Sequence, residues 1–337
     1  MILITGATGF IGSHLAAELL KKNTQLRAIY RSKDAIQKTK RIFDFHFEDS
    51  EAEINKIEWV EGDLRDVGSL SDAIQGAEAV YHCAGFISFS ARDHAALMEV
   101  NRDGTAEVVN ACLTHGIKKM CHVSSVATLQ VDKHKKQIDE LSVWKSNSRN
   151  SSYSISKYLG EFEVWRGLHE GLQAVIVNPS FVIGPGCEGQ ASHELFKEMQ
   201  RPHSFYFPGS TGFVDIRDVT QCMLRLMDEN RFGSRYILNS ENITFRAVSD
   251  VFSAIHKNPR AKRSVGKTAL YLANFFETIQ YGILGRKRKW GRQIIPSLMR
   301  HNQYENQKIS DELTHRFIPV HQSIEDTIRW YEKNKRD

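Results

Sequence analysis

Residues 2–22 read ILITGATGFIGSHLAAELLKK. An apolar β-type run, ILIT, meets a loop with glycines at 6, 9 and 12, and the loop opens directly into a helical pattern. A bare glycine repeat says little. Glycines between a first strand and a first helix permit a tight turn and let backbone N–H groups approach a pyrophosphate at the helix N-terminus. This stretch therefore predicts a dinucleotide site built from Gly6, Gly9, Phe10, Ile11 and Gly12. The bland alternative is an ordinary glycine-rich turn.

Beyond it, strands and helices alternate. Strands are expected at 26–30, 57–63, 79–83, 120–125 and 174–178. Helices are expected at 70–74, 93–115 and 152–170. Continuous apolar strands alternating with helices predict an α/β fold, a doubly wound parallel sheet covered on both faces. From about residue 185 the strands thin out, and Pro, Gly and aromatic residues increase. The reading is a dinucleotide-binding domain over 1–184, to which 213–230 returns, and a smaller C-terminal substrate-binding lobe over 185–337.

The 337 residues are 41% hydrophobic and 25% charged, which suits a soluble globular enzyme. Five cysteines without a CxxC pattern read as reduced thiols. With no basic, apolar leader pattern at the start, a cytoplasmic location is expected. His82–Cys83 and Cys121–His122 read as core pairs and not metal ligands, because adjacent strand residues face opposite ways; no metal is expected.

The end of the second strand bears on the cofactor. LRAIY runs into Arg31, Ser32 and Lys33 before the first acid, Asp34. A guanidinium there suits a 2′-phosphate, whereas an acid would hold the ribose hydroxyls of NAD. NADP is favoured, with NAD as the other possibility.

The stretch SSYSISKYLGE (151–161) places Tyr153 four residues before Lys157, on one helical face. Alone, such a pair reads as a surface contact. It does not stand alone. The glycine loop is followed in order by GDLRD (62–66), HCAG (82–85), VNRDGT (100–105), HVSS (122–125), YSISK (153–157), NPSFVIGPG (178–186) and GFVDIRDV (212–219). Over about residues 1–240 the chain resembles the extended short-chain dehydrogenase/reductases, also called the epimerase/dehydratase superfamily. The resemblance implies a Rossmann fold and the following roles. Tyr153 is the general acid or base. Lys157 and the positive nicotinamide ring lower its pKa, and Lys157 also holds the nicotinamide ribose. Ser125, nearer the strand end than Ser124, orients the substrate oxygen. Asn101 supports the lysine. Asp63 and Leu64 flank the adenine, Ala84 and Gly85 lie along the cofactor, and Pro179 with Ser180 sits beside the nicotinamide. A homodimer through the Tyr153 helix is also implied.

The substrate is less defined. No arginine lies between Arg201 and Arg217, where nucleotide-sugar enzymes of this superfamily carry one. The segment NPSFVIGPG looks more like the dihydroflavonol reductase and 3β-hydroxysteroid dehydrogenase branch. The expectation is a reductase or dehydrogenase for a small, possibly lipophilic molecule. The alternative is a nucleotide-sugar epimerase or dehydratase, with Arg246 as a phosphate contact. Between His256 and His301 eleven Lys or Arg face one acid, flanking a helical apolar pattern at 272, 275, 276, 279 and 283. A lobe helix roofing the pocket is favoured over membrane-surface contact. Nucleic-acid binding is not expected, because no recognised module is present.

Overall fold

The computed structural model describes residues 1–130, 136–147, 150–186, 205–272, 274 and 292–334. The apolar pattern at 275–283, the basic run 286–289 and Cys187 lie outside the described residues. Among these residues no helix is long and apolar enough to cross a membrane.

The main sheet has seven parallel strands. They are β1 (Ile2–Thr5), β2 (Leu26–Tyr30), β3 (Glu58–Glu61), β4 (Ala79–His82), β5 (Lys119–Val123), β6 (Gln173–Pro179) and Ser234–Leu238. Their spatial order is β3-β2-β1-β4-β5-β6, with Ser234–Leu238 outside β6. The order reverses beside β1, so the crevice above β1 and β4 is where such folds take ligands. The return to the sheet thus runs past helix Ile216–Asp228 to residue 238.

Alternation along each strand feeds two cores. Leu3, Val80 and Ile176 face one core, with Val108 and Val164. Ile4, Tyr81, Val175 and Val177 face the other, with Leu15, Val219 and Met223. Helices α1 (Phe10–Lys21), α2 (Lys33–His46), α3 (Ser50–Ile54) and α4 (Val67–Ile74) connect the first strands. The sequence reading assigned nothing to 33–56, where α2 and α3 lie.

The helix expected over 93–115 is not uniform. It consists of α5 (His94–Met98), a π-helical turn at Glu99–Asp103 and α6 (Gly104–Thr114). Helix α7 (Ser152–His169) packs closely on it, because Gly160 and Gly167 carry no Cβ. A Cβ at Gly160 would collide with the Asn101 carbonyl, and one at Gly167 would lie 2.6 Å from Val109 Cγ1.

After β6 the chain leaves the main sheet. Strand β7 (Phe181–Ile183) pairs with Ser210–Asp215, which pairs in turn with Glu241–Thr244 in a separate three-stranded sheet. A third core of Ile183, Phe213, Phe245, Phe252, Leu298 and Ile324 ties that sheet to the C-terminal helices.

Candidate active site

Gly6 takes φ +72°, in the left-handed region open to glycine. A Cβ there would lie 2.5 Å from the backbone of Ala84, so the first loop and the end of β4 touch backbone to backbone. A Cβ at Gly12 would run into the Gly6 carbonyl oxygen. Helix α1 starts at Gly9 without a side-chain cap. Its first N–H groups therefore have no partner within the helix, which suits the anionic pyrophosphate of a dinucleotide.

Arg31 is exposed at the end of β2, and its charge reaches Asp63. The Asp63 carboxyl is held down to about 2, chiefly by hydrogen bonds from Arg65, including Nη2 to Oδ2 at 2.7 Å. Leu64 is buried below it, against Gly104.

Tyr153 and Ser125 meet. Ser125 ends the β5 segment and caps the short turn Val126–Thr128 by accepting from Ala127 N–H at 3.1 Å. Both side chains line one cavity, and Ser125 is the side chain that favours the Tyr153 phenolate. Burial pushes the phenol above its ordinary pKa, and Ser125 opposes that. In the protein without cofactor, desolvation outweighs the favourable Ser125 contact.

Lys157 is buried and donates to the Val123 carbonyl at 2.7 Å. Burial lowers its pKa to about 8, while Glu161 and Cys83 pull upward. Asn101 lies in the π-helical turn. It accepts from Phe86 N–H at 2.7 Å and donates to Phe86 O and Ser156 Oγ, each at 2.9 Å. Gly85 lies between the two residues: its missing Cβ would be 3.4 Å from Asn101 Oδ1 and 3.8 Å from Lys157 Nζ. Below them, His82 pairs with Thr5 Oγ1 at 2.6 Å and Thr105 Oγ1 at 3.0 Å, and Thr105 donates to the Asn101 carbonyl at 2.7 Å.

A cavity of about 850 Å³ opens above this floor. Ser125, Tyr153, Pro179, Ser180, Phe10 and Ile11 line it from the sheet side. The other anticipated residues lie along the loop and beneath the floor, and not on the cavity wall. Much of the wall comes from residues that the sequence did not single out: Phe181, Phe245, Ile294, Leu298, Arg300 and Tyr304. Backbone bonds pin that wall, with Gly209 N–H donating to Leu298 O at 2.9 Å and Ser210 N–H to Arg300 O at 2.8 Å. Gln293 ties the wall to the start of α7, bonding Ser152 N–H and Oγ at 3.1 and 3.2 Å. No local signal marks these contacts. Arg246 is not on the wall; it stacks on Tyr206 at 4.9 Å and lies 4.0 Å from Asp250. Ser124, the serine passed over, bonds Glu161 at 2.6 Å.

His82 and His122 are fully buried and stacked 5.0 Å apart, as core residues. Among the described residues no cluster of three His, Cys, Asp or Glu can hold a metal.

Residues 2–239 match the model of the NAD dependent epimerase/dehydratase family. The bifunctional dihydroflavonol 4-reductase/flavanone 4-reductase of Pyrus communis is 26% identical over 299 residues, 79% of this chain and 85% of its own. The crystal structure of gox2253 superposes with a TM-score of 0.79 at 26% identity, covering 100% of this chain and 99% of that one. Yeast methylglyoxal/isovaleraldehyde reductase Gre2, complexed with NADPH, gives 0.76 at 18% identity over 98% of both chains; that likeness concerns the fold.

Proposed function

The chain belongs to the NAD dependent epimerase/dehydratase family, and from that premise we propose that it is an NADP-dependent reductase acting on a carbonyl of a small, largely apolar molecule. The observation that carries this reading is that Ser125 and Tyr153 share the floor of a cavity walled by Phe181, Phe245, Ile294 and Leu298. The reductase name of the Pyrus relative points the same way.

The loop Gly6–Gly12 and the N-terminus of α1 would hold the pyrophosphate. Arg31 would meet the 2′-phosphate, with Asp63 and Leu64 beside the adenine. Ala84, Gly85 and Pro179 would border the nicotinamide half, and Lys157 its ribose. When bound, the cofactor supplies a hydride. The protein's own residues do the rest. Ser125 donates a hydrogen bond to the substrate carbonyl oxygen and fixes its orientation. Tyr153 gives its phenolic proton to that oxygen as negative charge develops there. Lys157, as an ammonium, stabilises the resulting phenolate. Asn101 holds the Phe86 segment over the lysine. The apolar wall excludes water, which strengthens each of these polar contacts. Two copies pairing through α7 belong to the same reading; Phe162 on that helix is 58% exposed.

The test uses purified protein, NADPH and a panel of aldehydes and ketones of graded apolar size. Stoichiometric NADPH oxidation with alcohol formation supports the reading. Turnover of a nucleotide-sugar with no net change in cofactor would replace it with the epimerase reading.

A further inference from the structure

The reductase reading gives no part to Glu161, the last residue of the stretch that carries Tyr153 and Lys157. Positions 153, 157 and 161 are successive i+4 neighbours, so they form one stripe along α7. Glu161 is 2% exposed. Five donors converge on its carboxylate, the longest being Trp165 Nε1 to Oε1 at 3.4 Å. Ser124 Oγ, Asn178 Nδ2 and Thr128 Oγ1 reach Oε2 at 2.6, 2.9 and 3.0 Å. Arg235 Nη1 reaches Oε1 at 3.0 Å. Arg235 is clamped in turn by the carbonyls of Glu140 and Ser142, at 2.7 and 2.8 Å.

Three of these donors also bear on Ser125. Ser124 is its chain neighbour. Asn178 Nδ2 donates to the Ser125 carbonyl at 3.1 Å, and the Thr128 hydroxyl has the same carbonyl in reach at 2.9 Å. A buried ion pair of this kind is weak as a source of stability, because desolvation offsets most of the attraction. Its placement is informative: it joins the strand end bearing Ser125 to the helix bearing Lys157.

We propose that Glu161 is a positioning residue for the reaction, holding the Ser125 backbone in register through Ser124, Thr128 and Asn178 and setting the charge environment of Lys157 one turn away on α7. This rests on the reductase reading above. The titratable groups around Lys157 are His82 on β4 and Cys83 just after it, His122 on β5, and Glu161 on its own helix. Burial drives the histidines toward the neutral form and pushes the Cys83 thiol up to about 12. That leaves Glu161 as the anion in this set. Without it, burial would drive Lys157 further toward the neutral amine.

The first part of the test needs neither substrate nor cofactor. Side-chain 15N NMR follows lysine titration in the cofactor-free protein, with Lys157 identified by the signal lost in Lys157→Met. The wild-type signal should titrate near pH 8. Glu161→Gln should lower that midpoint by about one pH unit, as expected for losing one nearby charge. Arg235→Gln, which unmasks the carboxylate, should raise it. Ser124→Ala should leave the midpoint in place but lower kcat about tenfold, with the KM for NADPH unchanged; a tenfold loss is one good hydrogen bond's worth of alignment. An unmoved midpoint in Glu161→Gln overturns the proposal, as does a downward shift in Arg235→Gln if the first variant fails to fold. If the wild type reduces no carbonyl while the midpoints shift as stated, the reductase reading falls and the electrostatic role of Glu161 survives.

Discussion

The floor and the wall of the cavity are assembled in different ways. Ser125 follows β5, Tyr153 lies in the first turn of α7 and Pro179 ends β6, so the three come from one consecutive β–α–β unit of the parallel sheet. Leu298, Arg300 and Tyr304 come from the short helix Ile295–Met299 and the loop after it, laid against residues 209 and 210 by backbone hydrogen bonds. On the floor, geometry follows from the α/β layout, and the chemistry sits in hydroxyls, an ammonium and bare backbone. On the wall, geometry follows from long-range pairing, and the surface is mostly apolar. The floor is therefore suited to fix how the reaction proceeds, and the wall to select what reacts.

That division can be broken by experiment. The largest effect belongs to the glycine loop. Gly12→Val adds bulk where even a Cβ would strike the Gly6 carbonyl oxygen. NADPH affinity, read by the quenching of protein fluorescence, should fall at least about 100-fold, the loss of two or more charge-assisted contacts. Near-normal affinity would mean the loop is not the phosphate cradle. Next comes Arg31→Ser. It should weaken NADPH by about 10- to 100-fold and leave NADH untouched, since one charge-assisted bond is worth about 1.5–3 kcal/mol. Equal losses for both nucleotides would remove Arg31 from the 2′-phosphate.

The wall gives a smaller and different signature. Phe181→Ala should change the KM for apolar substrates about tenfold, the value of roughly one to two buried methylenes, while NADPH affinity stays fixed. A parallel loss in NADPH affinity would show that floor and wall are not separable.

The smallest effect concerns the sheet domain in acid. His14 and His82 are buried and neutral, each with its pKa pushed down to about 3, mainly by burial. The unfolded chain would bind a proton at each near the ordinary value of 6.5, so stability is lost as pH falls from there toward 3. At pH 5.5 the loss should be about 1.4 kcal/mol per histidine. His14→Asn should unfold with a shallower pH dependence than the wild type, as followed by circular dichroism in urea; an unchanged slope would contradict this account of His14.

These contrasts also explain what could be read from the sequence. The parallel sheet was legible because ILIT, AVYHC and AVIVN are continuous apolar runs in a chain that alternates them with helical patterns. The glycine loop was legible because backbone approach demands glycine at particular positions. Helix α2 carries its own signal, with Ile36, Thr39, Ile42 and Phe43 at helical spacing, so nothing physical hid it. The cavity wall differs. Whether Arg300 or Tyr304 faces the cavity depends on bonds to Ser210 and Asn242 far away in the chain, and no periodicity records such a pairing. The burial of Tyr153 was hidden for a related reason. A motif shows which charges are near a phenol, but its burial depends on the surrounding fold.

Tyr153→Phe, compared with the wild type for NADPH affinity and single-turnover reduction of the best ketone in the panel, tests the central claim most directly. Removing the phenolic proton while keeping the ring should cut the chemical step by about 10²- to 10⁴-fold and leave NADPH affinity within about twofold. Undiminished reduction by the phenylalanine variant would contradict the account, because the hydroxyl pair at the cavity floor would then have no part in the chemistry.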